Sequence, residues 1–177
     1  KIVTLLGERC FSNSSLRAID GVLAIAPVQR SAFAVTKYLT VVDLTVKALG
    51  PGCPSMAIGD RAFFGSLTRS VAICITGGNT RQHIGFECFA YCLSLETVKI
   101  DCTTQLDLHP NMFYRCLALK TVTITTTQTS EVSTRRRPPF KSTNFPLTLG
   151  KGAFSECKCL ETVTLCQKTF LEWGIFI

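Results

Sequence analysis

A short pattern of apolar residues recurs six times along this chain and constrains its fold more than any other feature. Residues 84–100, with the sequence IGFECFAYCLSLETVKI, show the pattern most clearly. An aliphatic residue and a Gly are followed by two variable positions, a small residue and Phe89. The later anchors of this copy are Cys92, Leu95, Val98 and Ile100. Six copies with this many shared positions indicate an array of equivalent structural units.

Each copy begins at an aliphatic residue and contains one phenylalanine at a fixed place. The copies begin at Leu6, Val28, Ile58, Ile84, Leu108 and Leu149, and their phenylalanines are Phe11, Phe33, Phe63, Phe89, Phe113 and Phe154. The first and third copies are one residue shorter after the phenylalanine. The phenylalanines are separated by 22, 30, 26, 24 and 41 residues. Most of these separations are typical of a solenoid, in which each unit buries its apolar face against its neighbours.

The two halves of a copy predict different local structures. The end of a copy, as in residues 95–100, is β-branched and alternates apolar with polar positions, which predicts a short strand. The preceding segment places Cys88, Phe89 and Cys92 at helical spacing, which favours one or two helical turns. Stacked copies should therefore form a ladder of parallel strands with buried columns of Phe, Leu and Val behind it.

This skeleton resembles the leucine-rich repeats of BspA-like surface proteins, whose pattern is similar to IGxxAFxxCxxLxxIxI. The resemblance covers residues 6–165 and implies an α/β solenoid. Such a solenoid is a right-handed, curved leucine-rich repeat array with the parallel strand ladder on the concave face and short helical turns opposite. The resemblance also implies a binding function, often on the cell surfaces of bacteria and protists. Two features depart from the family pattern: the Pro that commonly follows the strand is missing in most copies, and His109 replaces the repeat Gly.

The repeats divide the chain into a solenoid and a tail. Residues 1–165 are predicted to form one solenoid of six repeats with an insertion loop at about 126–146, which is rich in Thr, Ser and Arg and lacks the anchors. Three arginines at 135–137 contribute to the net charge of +7. They favour a solvated loop, with a polybasic contact to nucleic acid, phospholipid or an acidic protein as the alternative. Residues 166–177 form a tail that either covers the last coil as a makeshift cap or begins a further repeat.

The predicted binding surface is the set of outward positions on the strand ladder, which flank the inward Val and Ile anchors. The candidates are Asp43, Thr45, Ser70, Thr97, Lys99, Asp101, Thr121, Thr123, Thr125, Thr162 and Thr164. Thr is also a good strand former whose side chains satisfy one another across a ladder, which is a purely structural explanation for this pattern. The face lacks the aromatic and arginine anchors of a tight interface, so binding there is expected to be weak and polar.

Three of the ten cysteines, Cys92, Cys116 and Cys157, share one repeat position. Equivalent side chains in a parallel ladder point side by side, so a column of buried thiols is predicted there in preference to disulfides. Cys74 and Cys166 fall on outward strand positions and are predicted to be the accessible thiols.

No motif in the chain supports catalysis or metal binding. The cysteine spacings give no paired C-x-x-C zinc signature, and the two histidines lie at turn positions with no nucleophile motif or phosphate-binding loop. No apolar run approaches the roughly 18 residues of a membrane span. We therefore expect no enzymatic activity, cofactor, metal ion, small-molecule substrate or membrane span, and nucleic acid is not an expected partner. Asn13 begins an N-glycosylation triplet, which matters only in a secreted eukaryotic protein.

Two functions from different classes fit these observations. The first is non-catalytic recognition of a protein or glycoprotein through the concave strand face, with adhesion at a cell surface as one form of it. The second is a structural spacer within a longer repeat array, with no binding of its own. A secreted or cell-surface location follows from the resemblance alone.

Overall fold

The computed structural model describes residues 2–3, 6–24, 27–47, 56–77, 81–127, 146–166, 169–172 and 174–176. Within these residues the chain forms two parallel sheets. Sheet A contains, in spatial order, β1 (Ile2–Val3), β2 (Ala18–Ala24), β3 (Val41–Lys47), β5 (Ser70–Thr76), β7 (Thr97–Cys102), β9 (Thr121–Thr126) and β11 (Thr162–Leu165). Sheet B contains β4 (Met56–Ile58), β6 (Gln82–Ile84), β8 (Leu106–Leu108), β10 (Leu147–Leu149) and β12 (Thr169–Leu171). Each strand pairs with the strand one coil away, which confirms the predicted parallel-strand solenoid.

One register runs through sheet A from β3 to β11. Val42 pairs with Val71, and the same row continues through Val98 and Val122 to Val163. Burial alternates along β3, β5 and β7, with the apolar anchors inward and the intervening residues outward. The period of two predicted for this segment is therefore confirmed.

The phenylalanines form one stacked column, as predicted. Consecutive rings from Phe11 to Phe176 are nearly parallel, and their centroids lie 5.0–5.7 Å apart. The buried members are Phe33, Phe63, Phe89, Phe113 and Phe154. The Leu and Val columns are buried in the central coils, whereas Leu160 and Val163 in the sixth copy are only partly buried. The core is therefore continuous through the central coils and thinner at the sixth.

The prediction of short helical turns opposite the ladder is wrong, because the described residues contain no helix. The turn around Phe89 shows the reason. The backbone N–H groups of Glu87, Phe89 and Tyr91 donate to carbonyls of the next coil, and those of Ala90 and Cys92 donate to carbonyls three residues back. A helix requires its successive N–H groups to bond within their own segment. The alternation replaces each helix with tight turns that stack on the turns of the neighbouring coils.

Tight turns of this kind require special backbone conformations. Two residues in each turn are left-handed and lie four positions apart, such as Glu87 with φ 52° and Tyr91 with φ 60°. The repeat Gly meets a different demand, because a Cβ on Gly85 would lie 2.7 Å from the carbonyl carbon of Gly59 in the preceding coil. A Cβ on Gly7 would meet nothing within 4 Å. Glycine is thus required where one coil closely approaches another.

Sheet B is a feature that the repeat pattern did not predict. Its strands are three residues long, and four of them end at an aliphatic residue with which a copy begins. These residues are Ile58, Ile84, Leu108 and Leu149. The first anchor of a copy is therefore a strand residue, and each such coil has a strand on both sides of its turn.

The tail and the insertion meet the array differently. β12 pairs with β10, and Phe176 stacks on Phe154 with centroids 5.6 Å apart, so residues 169–172 and 174–176 repeat the beginning of a coil. The predicted insertion is bounded by Thr126, the last residue of β9, and by Pro146, which is buried directly before β10. Residues 128–145, including the three arginines, lie outside the described residues.

Candidate functional site

The outward side of sheet A carries every residue of the candidate binding surface. Asp43, Thr97, Lys99, Thr162 and Thr164 are exposed, and Thr45, Ser70, Asp101, Thr121, Thr123 and Thr125 are partly exposed. The register places residues from neighbouring strands side by side, as for Thr97, Thr121 and Thr162. The candidates therefore form one continuous polar surface.

A small charged group lies within this surface. The ammonium of Lys99 lies 3.1 Å from a carboxylate oxygen of Asp101, and the hydroxyl of Thr125 donates a hydrogen bond to the other oxygen. Partial desolvation acts to raise the pKa of Asp101. The hydrogen bonds from Thr125 and Lys99, together with the charge of Lys99, outweigh it and hold that pKa below its usual value. Asp101 is therefore a fixed negative charge on the face at neutral pH.

The shared cysteine position lies behind sheet A, and the predicted burial is confirmed for Cys92 and Cys116 but not for Cys157. The thiols of Cys92, Cys116 and Cys157 donate to the carbonyls of Phe63, Phe89 and Phe113, each one coil earlier, at 3.0–3.1 Å. Cys92 and Cys116 are fully buried, and Cys157 is partly buried. Burial raises the pKa of Cys92 to about 11 against an opposing hydrogen bond with Ser66. These thiols act as small hydrogen-bonding core residues.

The prediction that Cys74 and Cys166 are the accessible thiols is wrong. Both are partly buried, whereas Cys10 and Cys159 are exposed. Cys166 lies just beyond the end of β11, packs against the core and accepts a hydrogen bond from Thr126 at 3.4 Å. Because the last strand of sheet A is shorter than its neighbours, this residue leaves the outward row.

A polar cluster on sheet B escaped the sequence prediction. His83 and His109 share a hydrogen bond of 3.4 Å, His83 lies 3.5 Å from Asp107, and Asp107 also pairs with Arg81. Partial burial has the largest effect on the pKa of His83 and lowers it. Asp107 opposes this shift, and His109 and Arg81 add to it. Repeat spacing did not indicate this pair, because the two histidines are 26 residues apart whereas their copies begin 24 residues apart, at Ile84 and Leu108.

Two findings on metal sites and membrane-spanning helices apply to the described part of the chain. Within it, no three His, Cys, Asp or Glu side chains are arranged to hold a metal ion. Nor does that part contain a helix long and apolar enough to cross a membrane.

A second set of residues absent from the prediction lies on the turn edge, the line of stacked turns that joins sheet B to sheet A. The rings of Phe64, Tyr91 and Tyr114 follow one another there, with centroids 5.3 and 5.4 Å apart. The guanidiniums of Arg61 and Arg115 lie over ring faces at 5.5–5.8 Å. These residues occupy variable positions of the repeat, so the anchor pattern gave no indication of them.

A comparison with known protein families identifies the family of the array. The model of the BspA type leucine-rich repeat region matches residues 4–135 with six copies. The chain belongs to this family. The coil that contains Phe154 and β11 lies beyond the matched residues, yet it keeps the register of the ladder. No curated protein and no solved structure matches the chain. Leucine-rich repeat families commonly mediate interactions between proteins and are generally not catalytic.

Proposed function

We propose that this BspA-type array is a non-catalytic recognition module that binds a protein or glycoprotein through the outward face of sheet A. Adhesion at a cell surface is the setting that the family resemblance suggests. The observation that carries the proposal is the unbroken register from β3 to β11, which holds exposed polar groups in fixed rows. A partner can meet such rows without any rearrangement of the array.

The size of this face supports a weak contact. Five strands about 4.8 Å apart, with a mean length of six residues, give a face of roughly 19 by 20 Å, or about 400 Å². A stable interface buries about 800 Å² on each partner. Useful strength at a cell surface would then come from several arrays acting together, because linked weak sites gain avidity.

The centre of the face offers the best-defined contacts. Thr97 and Lys99 lie on the central strand β7 and are exposed, and Thr121 lies beside Thr97 on β9. Lys99 can donate to an acidic or carbonyl group of a partner while Asp101 holds it in place. We further propose that the array curves in a right-handed sense with this face concave, which would bring the outer rows toward a bound partner.

The test is a triple substitution of Thr97, Lys99 and Thr121 by Ala, with adhesion measured to cells and to surfaces coated with extracellular-matrix protein. We expect adhesion to weaken about tenfold, which corresponds to about 1.4 kcal/mol. A matched control replaces Ser15, Gln29 and Lys151, which are exposed outside sheet A. Equal adhesion of the two variants, both folded, would exclude this face.

The second candidate is a structural spacer, and the bonding of the Asp101 carboxylate within the array itself favours it. That carboxylate is already satisfied by Lys99 and Thr125, and threonine rows stabilise a ladder without any partner. If the array is a spacer, the triple substitution should leave adhesion unchanged. A longer or shorter array should then change only the distance at which it displays other domains.

A further inference from the structure

Five aligned residues on the turn edge form a ridge with an unusual composition. They stand four positions after the phenylalanine of five successive copies, and they are Lys37, Leu67, Leu93, Leu117 and Lys158. All five are exposed, with 42%, 49% and 39% of the three leucines accessible. Because the turns stack in register, the ridge runs along the array for about 19 Å, with leucines in the middle and a lysine at each end.

Further apolar groups stand beside the ridge. Val35 and Tyr91 are exposed two positions after their phenylalanines, and Phe64 and Tyr114 flank Tyr91 at ring distances of 5.3 and 5.4 Å. A contiguous exposed apolar strip of this kind differs from single surface leucines, which are common in soluble proteins. The turn edge therefore has the composition of a contact surface.

The charges near the ridge favour an acidic partner. The carboxylates of Glu87 and Glu156 are paired with Arg61 at 2.7 Å and with Arg115 at 2.9 Å. The positions directly before strands of sheet A hold three cations, Arg17, Arg69 and Lys120, and two carboxylates, Glu96 and Glu161. With Lys37 and Lys158 added, the edge is positive, in keeping with the net charge of +7.

A second copy of the chain is a poor occupant of this ridge. Packing two ridges together in the same direction opposes Lys37 to Lys37, and packing them in opposite directions opposes Lys37 to Lys158. Either arrangement desolvates like charges. An anionic bilayer avoids this cost, because leucine and tyrosine side chains enter the headgroup boundary while the lysines meet acidic headgroups.

We propose that the turn edge, centred on the Lys37 to Lys158 ridge, docks the array onto an anionic lipid surface. The contact is peripheral: the leucines reach only the boundary between headgroups and acyl chains. It leaves the outward face of sheet A free, since that face and the turn edge are different sides of the coil. The proposal is independent of the function proposed for sheet A.

The test is co-sedimentation of the full chain with phosphatidylcholine vesicles and with vesicles in which phosphatidylserine replaces part of the phosphatidylcholine. We expect binding to the phosphatidylserine vesicles, weakened by salt, and much less binding to the neutral ones. Replacing Leu67, Leu93 and Leu117 by Ser should lower the partition about tenfold or more. Replacing Lys37 and Lys158 by Gln should lower it about tenfold at low salt.

The controls separate this ridge from general stickiness and from misfolding. The variant Val41→Ser with Leu171→Ser removes two comparably exposed apolar residues elsewhere and should bind vesicles like the unchanged chain. Circular dichroism verifies that each variant is folded. If the leucine variant does not fold, the lysine variant still tests the ridge. The proposal is overturned by absent vesicle binding, by equal binding to both vesicle types, or by full binding of the folded ridge variants. Binding of the ridge only to an acidic protein would equally overturn it.

Discussion

Truncation of Phe89 to Ala tests the central claim that the stacked rings hold the array together. Phe89 is fully buried and lies between two other rings, with centroids 5.0 Å from Phe63 and 5.7 Å from Phe113. Its removal opens a cavity in the middle of the column, where neither neighbour can collapse into the space without leaving its own coil. We therefore expect one of the largest losses of stability that a single truncation in this chain can give.

The magnitude follows from two contributions. Burial of a Phe side chain contributes about 1.5–3 kcal/mol. Loss of two aromatic pairs adds about 1–3 kcal/mol. The sum agrees with the 3–5 kcal/mol typical of Phe to Ala substitutions in cores. For a chain of this length, a loss of that size lowers the melting temperature by about 10 °C.

Urea unfolding followed by circular dichroism provides the measurement, and the chain supplies its own control. Phe176 is 63% exposed, and within the described residues only the ring of Phe154 stacks on it, so Phe176→Ala should cost about 1 kcal/mol or less. A similar denaturant dependence in both variants would show that the difference lies in the native array. Equal losses for the two variants would refute the idea that a continuous ring column stabilises the fold.

Three further predictions concern single features of the array. Gly85→Ala should destabilise the protein by several kcal/mol because the new Cβ would meet the preceding coil, whereas Gly7→Ala should be neutral in the same melting assay; equal effects would contradict the close approach of the coils. Cys92 should resist a thiol reagent at pH 8 while Cys159 is labelled at once, and the melting temperature should not change with reductant; a mass shift showing Cys92 in a disulfide would count against a thiol column. Replacing residues 128–145 by a short linker should leave the melting temperature nearly unchanged, and a large decrease would mean that this segment packs on the coils.

The buried part of the fold was predictable because its side chains repeat. Phe33 and Phe89 occupy equivalent positions, and a residue that must face the neighbouring coil can be identified from spacing alone. The outward row was predictable for the same reason, since strand alternation fixes which side Thr97 and Lys99 take.

The turns were mispredicted because spacing does not reveal where backbone groups bond. Cys88, Phe89 and Cys92 lie at helical spacing, yet alternate N–H groups of that segment bond to the next coil. A helix and a stack of tight turns both bury the same side chains, so apolar anchors cannot distinguish them. The left-handed φ that Glu87 and Tyr91 adopt distinguishes the turns from a helix, and neither residue type indicates such a conformation in a sequence.

The remaining omissions have a common cause. The strands of sheet B are too short to show a period of their own, and the clusters around His83 and on the turn edge use variable positions. For the tail, the repeat pattern allows either a cap or a further repeat. Its sequence LEWGIF places Phe176 at 22 residues from Phe154, which equals the separation of Phe11 and Phe33, and this spacing could have favoured the second reading.

The hydrogen bonds between coils give the array a stepwise response to mechanical load. Strands of both sheets lie across the array, and within the described residues their backbone hydrogen bonds join neighbouring coils. Tension entering through the chain at one end peels the outermost coil bond by bond, and the next coil bears the load only afterwards. Release of the 24 residues between Phe89 and Phe113 lengthens the chain by about 80 Å. We expect single-molecule stretching to record a series of such extensions, so that the protein absorbs a pull gradually, whereas one abrupt rupture would show that the coils yield together.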